Sequence, residues 1–184
     1  MNLKRFIMRR MLAVGTTTLL LMALMRVSVS RADDEEARRG RLPGSWVVAV
    51  TPDPIFLCNG PQIAPAPPAF TELATFDPGG GFTETNTILN ANSAALLPGL
   101  PFNGSDGHGT WAPRGEYFRV TFKKLVFDTA GAYIANVEVR ERLALDLSEA
   151  RKFSGLFTIT FSFLNGNPPV CSSGKFVGDR IGVE

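Results

Sequence analysis

Glu141 is the side chain in this sequence whose setting most invites chemistry. It lies in Val137-Glu138-Val139-Arg140-Glu141-Arg142-Leu143, where alternate positions are apolar, and it falls in register with Val137, Val139 and Leu143. A carboxylate held among apolar neighbours is pushed toward its protonated form, and such a group can serve as a general acid or base. Three roles stand open to it: an ion pair with Arg180 that plugs one end of the fold, a surface position if a bulge shifts the alternation, and catalysis. His108, the single histidine, is the second candidate. Beside an Asn- and Gly-rich stretch it reads either as a ligand or proton-shuttle group at a mouth or as a plain rim residue. Ser105-Asp106-Gly107-His108 holds the residue types of a hydrolase triad, but as sequential neighbours and without a nucleophile elbow, so no triad is assigned. Gly79-Gly80-Gly81 lacks the Lys-Ser/Thr and the helix of a phosphate loop and reads as a hairpin turn. One histidine and two cysteines do not make a metal site, and no cofactor motif is present.

The elements that must position these residues are strands. From Trp46 onward, runs of β-branched and aromatic residues alternate with polar ones, separated by Gly, Pro, Asn and Asp clusters. Eight strands are expected, at 45–51, 69–76, 81–88, 108–113, 117–127, 132–145, 153–164 and 169–181. Long sequential strands with no helices to cover them favour an all-β, eight-stranded antiparallel up-and-down barrel, which leaves no exposed edge. A two-sheet sandwich is the alternative. In the sixth strand the odd positions from Tyr133 to Leu145 face in. A three-residue loop with Gly131 in the left-handed conformation pairs Phe127 with Tyr133 and Leu125 with Ala135. A bulge at Lys123-Lys124 then sets Phe122 opposite Val137, Val120 opposite Val139 and Phe118 opposite Glu141, with both lysines outside. Pairing Leu145 with Phe153 puts Glu141 opposite Phe157.

Up-and-down topology assigns every turn to an end. Trp46, Trp111, Phe118, Glu141 and Arg180 fall at the end where the first strand starts, which is closed by tight turns. The two long connections, 51–68 and 89–107, fall at the opposite end and read as lids. Cys58 lies in the first of them and Cys171 near the start of the last strand, so a disulfide between these two would staple that lid to the rim.

Residues 1–32 read separately, as a cleaved signal peptide. Lys4, Arg5, Arg9 and Arg10 precede the apolar stretch Met11 to Met25, and Ser30-Arg31-Ala32 offers small residues for cleavage after Ala32. That segment holds six of the 19 basic residues and none of the 17 acidic ones, leaving 13 against 17. The basic balance of the full sequence therefore belongs to the signal, and a nucleic-acid partner is not expected. Residues 33–43 form a charged tail and 44–184 the barrel domain. Export places the protein in the periplasm or outside the cell, with no membrane span after cleavage. There, two cysteines without a competitor pair as Cys58–Cys171.

Gly44-Ser45-Trp46 on the first strand and Gly178-Asp179-Arg180 on the last resemble the calycin barrels, the lipocalin and avidin types, in which an arginine from the far end of the barrel lies against the Gly-x-Trp tryptophan. The chain looks most like small exported bacterial barrels of unknown role. The resemblance implies a container and an approach of Arg180 to Trp46 at its bottom, a plug that Glu141, placed at the same end, would complete by pairing with Arg180. The expected function is to hold a small apolar molecule in the upper barrel, among Phe122, Phe127, Tyr133, Val137, Phe161 and Phe163. An isomerase or cyclase barrel, similar to allene oxide cyclase or dirigent-type proteins, and a filled structural or interaction barrel are the alternatives. The oligomeric state is left open.

Overall fold

A computed structural model of the chain describes residues 41–87, 102–146, 148–149 and 151–182. The expected signal segment, most of the charged tail and much of the 89–107 connection lie outside the described residues. The strands are β1 (Gly44–Pro52), β2 (Ile55–Leu57), β3 (Gln62–Ala64), β4 (Phe70–Phe76), β5 (Gly81–Asn86), β6 (Phe102–Gly104), β7 (Gly107–Arg114), β8 (Tyr117–Asp128), β9 (Tyr133–Leu145), β10 (Lys152–Phe163) and β11 (Val170–Arg180). Eight of them, in the order β1-β4-β5-β7-β8-β9-β10-β11, pair antiparallel, and β1 pairs with β11 to close the barrel. No helix among the described residues is long and apolar enough to cross a membrane.

The first long connection is not a lid. Its β2–β3 hairpin extends the sheet along β11 beyond the end of β1 and contributes buried Ile55 and Ala64 to the core. Asp53 ties the hairpin to β11, since its backbone N donates to Ser173 O and its Oδ2 accepts from Ser173 Oγ. The Cys58–Cys171 disulfide forms at a Cα–Cα distance of 4.8 Å and closes 113 residues. In the second connection, β6 pairs with the end of β8, and the ring of Phe102 lies 6.2 Å from that of Phe161.

The barrel interior is too narrow for a large side chain at every inward position. Phenylalanine rings therefore lie over glycines on neighbouring strands. Phe153 faces Gly178, Phe157 faces Gly174 and Phe176 faces Gly155 along the β10–β11 ladder. A Cβ built on Gly178 would stand 2.3 Å from the Phe153 ring, one on Gly155 2.4 Å from Phe176, and one on Gly174 2.6 Å from Phe157. Phe82 and Phe122 flank Gly109 from both sides and meet above it at 5.0 Å. The lower barrel is filled by Trp46, 4.6 Å from Phe153, and by Phe76, 6.0 Å from Phe153 and 6.2 Å from Trp111.

The β9–β10 register is as expected, with Leu145 opposite Phe153 and Glu141 opposite Phe157. The β8–β9 register is not. Phe127 pairs with Tyr133, and Gly131 has φ +83°, but the irregularity falls between Val126 and Phe127 rather than at the lysines. Asp128 Oδ1 accepts hydrogen bonds from the backbone N–H groups of Ala130 and Ala132, so the extra residue is absorbed at the turn. Phe122 consequently faces Val139, Val120 faces Glu141 and Phe118 faces Leu143. The alternation from Phe118 to Val126 runs unbroken, which turns Leu125 outward and buries Lys124.

Overfilling one ring-over-glycine position tests this packing. Gly178→Ala is expected to cost about 1–3 kcal/mol in urea unfolding, because the ring beneath must leave its place. Adding Phe153→Leu should return part of the loss. An unchanged midpoint for Gly178→Ala would contradict the interlock.

Candidate functional site

Inward-facing positions of β4, β5, β8 and β9 carry four ionisable side chains: Glu72, Glu84, Lys124 and Glu141, all buried. Each obeys its strand's alternation. Glu72 shares the face of Ala74 and Phe76, Glu84 that of Phe82, Lys124 that of Phe122 and Val126, and Glu141 that of Val139 and Leu143. Three of them, Glu72, Glu84 and Glu141, line a chamber of about 40 Å³ together with Asn86 and apolar residues, among them Phe70, Phe122, Phe157 and Phe176. A buried water needs about 10–15 Å³, so this space takes roughly two or three waters or one small polar group. Phe70 and Asn86, at the strand ends, are half-buried and form its outer rim.

Lys124 neutralises one acid. Its Nζ donates to Glu84 Oε1 at 2.7 Å, and Asn86 Nδ2 donates to the same oxygen at 3.3 Å. Glu84 Oε2 is buried and has no hydrogen-bond partner among the described residues. Burial raises the Glu84 pKa, and the Lys124 ammonium opposes that rise. Burial, reinforced by the neighbouring Glu84 charge, pushes Glu141 up to about 8. Glu72 is raised well above the usual carboxylate range, chiefly by burial and then by Glu141 and Glu84. Like charges this close in a low dielectric cannot all ionise. At neutral pH the chamber therefore holds the Glu84–Lys124 ion pair beside a largely protonated Glu141. Among the described residues, no three carboxylates, histidines or cysteines converge closely enough to hold a metal ion.

Arg180 lies over the ring of Trp46, its carbon 4.6 Å from the centroid, and donates to the carbonyls of Pro43 and Arg41. Trp46 Nε1 in turn donates to Leu42 O at 3.0 Å. Glu141 is not part of that plug. It faces the other acids higher in the barrel, and among the described residues no ion pair joins it to Arg180. His108 is exposed on the outer face of β7, paired with Lys123 and Thr83, away from the chamber.

Of the six proposed ligand contacts, Phe122 lines the chamber. Val137 and Phe161 are buried in the core, and Phe163 is half-buried against it. The rings of Phe127 and Tyr133 meet at a tilt, 5.9 Å apart, with the Tyr133 hydroxyl donating to Asn136 Oδ1. Glu72, Glu84 and Lys124 were not among the expected site residues. Their signal was the strand alternation itself, which holds them in phase with apolar neighbours as it does Glu141.

The chamber makes stability depend on pH with a defined sign. Unfolded, Glu141 ionises near the ordinary glutamate value of about 4.3; folded, it keeps its proton up to about 8. The folded state binds more protons between those limits, so this contribution is present in acid and is lost as pH rises through about 8. From pH 5 to 8 the wild type should lose stability relative to Glu141→Gln, by at most about 1.4 kcal/mol per pH unit for one proton. Parallel pH profiles in denaturant unfolding would contradict a buried protonated acid. No protein-family model matches this chain, and no curated protein is similar to it in sequence.

Proposed function

We propose that this barrel is an exported, calycin-like carrier for a small molecule, and that the polar end of the ligand enters the chamber lined by Glu72, Glu84 and Glu141. The observation that carries this reading is the placement of three acids around a cavity in an otherwise apolar interior. Buried ionisable groups cost several kcal/mol each before compensation, and well-packed apolar residues of similar volume are commonly neutral or stabilising by about 1–4 kcal/mol in their place. Folding alone gives no reason for them to be there. A ligand does.

The chamber is small beside the roughly 300–1,000 Å³ that encloses a drug-sized molecule. It suits a head group, and the half-buried rim of Phe70 and Asn86 is where the rest of the ligand leaves the barrel. This revises the sequence-based expectation of a wholly apolar pocket among the upper phenylalanines. Export is supported by the basic and apolar segment at 1–32 and by the Cys58–Cys171 bridge, which suits an oxidising compartment. An isomerase or cyclase role is favoured by one feature, a Glu141 carboxyl poised near neutral pH beside an ionised Glu84. It differs from the carrier in requiring that the bound molecule be changed.

Native mass spectrometry of the protein purified gently from its own host tests the reading. A mass excess from a retained small molecule is expected in the wild type and absent from a Glu72→Leu/Glu141→Leu double variant. The variant should at the same time be more stable by about 1–4 kcal/mol. A wild type that carries nothing, beside a variant of lower stability, would make the cluster structural and end the carrier reading.

A further inference from the structure

We propose that the chamber recognises an organic ammonium, so that the ligand is an amine cation whose head sits among Glu72, Glu84 and Glu141 and whose entry expels a proton from the site. The proposal rests on the carrier reading and narrows it to a chemical class.

The lining is one-sided in charge. It contains three acids and one amide, while Lys124, the basic group closest to it, is directed to Glu84 Oε1 and is not among the lining residues. An anionic head would meet three carboxyls. The buried Glu84 Oε2 accepts no hydrogen bond, so what is missing from the site is a donor. A hydroxyl supplies one donor and an ammonium three, which matches three acids. Phe70, Phe122, Phe157 and Phe176 complete the wall, and aromatic faces attract cations by roughly 0.5–2 kcal/mol each. A space of about 40 Å³ accommodates an ammonium head and excludes a bulky one. The acids do not converge as metal ligands, which favours an organic cation over a metal ion.

Proton release follows from the neighbours of Glu141. The titratable groups beside it are Glu72 from β4 and Glu84 from β5, the latter held by Lys124 from β8, whereas β1, β7 and β10 turn apolar residues or glycines toward the centre and β11 adds only Ser172, bonded to the carbonyls of Asp53 and Pro54, and Arg180, over Trp46. Empty, the site keeps a proton on Glu141 at neutral pH because the carboxyl is buried and, secondly, because Glu84 beside it carries a charge. A cation placed between them stabilises the second carboxylate. The O–H of Glu141 then breaks heterolytically, the electron pair stays on the carboxylate, and the proton leaves to solvent. Affinity should rise with pH, by up to about tenfold per unit for one proton, until Glu141 is ionised in the empty protein near pH 8.

Isothermal titration calorimetry with n-hexylammonium chloride, 1-hexanol and sodium hexanoate as probes tests this on the full protein. At pH 7, in buffers of different ionisation enthalpy, hexylammonium is expected to bind at least tenfold more tightly than the other two, with release of about one proton per ligand. In Glu141→Gln the release should vanish; the wild-type buffer dependence stands by itself if that variant does not fold. Hexanol or hexanoate binding as tightly as hexylammonium, or hexylammonium binding without proton release, overturns the amine assignment. If a small molecule is still retained in the mass spectrum, the carrier survives that failure. If no probe binds and nothing is retained, both fall.

Discussion

The interior width of a closed eight-stranded barrel is the constraint from which the rest of this structure follows. Eight strands leave room for side chains from part of the inward positions at each level, and dense packing requires that the others be small. Here the small residues are glycines placed beneath phenylalanine rings, at Gly178, Gly174 and Gly155 on the β10–β11 ladder and at Gly109 between β5 and β8. The arrangement gives a lower barrel that is solid with aromatic rings, capped by Arg180 over Trp46. Higher up, Phe122, Phe157 and Phe176 become the walls of the chamber. The two sets are in contact, since Phe176 lies 5.9 Å from Phe153, so the filled end supports the walls of the open one.

Within that space the acids oppose folding and define the chemistry. Glu84 pairs with Lys124, whose ammonium opposes the rise that burial imposes on its carboxyl, and burial together with the Glu84 charge keeps Glu141 protonated. Removing Lys124 would strand a buried charge, at a typical cost of about 3–5 kcal/mol. The pair joins β5 to β8, two strands separated in the barrel wall by β7. It therefore acts as a cross-brace beside Gly107, which has no side chain to pack there. Stability and site geometry are coupled through this one contact.

Much of the fold was legible in the sequence, and the reason is period-two alternation with turn residues at the breaks. Gly131, Asp128 and the Phe-rich run of β10 place the hairpin and the β9–β10 register directly. The β8–β9 register differs from the expectation because Leu125 and Phe127, opposite in parity to Phe118, Val120 and Phe122, suggest a bulge at Lys123-Lys124, whereas Leu125 faces outward and the irregularity lies at Val126/Phe127. What makes Lys124 tolerable inside is Glu84, 40 residues earlier and on a strand that is not its neighbour. Single-strand hydrophobicity contains no information about that partner. Glu141 was found because its own neighbours are apolar, and it was assigned to Arg180 because topology alone does not give height within a sheared barrel. Glu72 and Glu84 follow the same alternation, but Glu72 lies between Thr71 and the outward Leu73, and Glu84 between Thr83 and Thr85, which weakens the contrast between the two faces.

The central claim is that the barrel keeps protonated carboxylic acid at its core at neutral pH. Side-chain carboxyl ¹³C shifts of the glutamates, followed by NMR from pH 3 to 9 with Glu72→Gln and Glu141→Gln for assignment, measure it directly. The Glu141 signal is expected to titrate near 8, and that of Glu72 well above the usual carboxylate range. If every glutamate titrates near 4.3, the chamber is hydrated and charged, and the account is wrong.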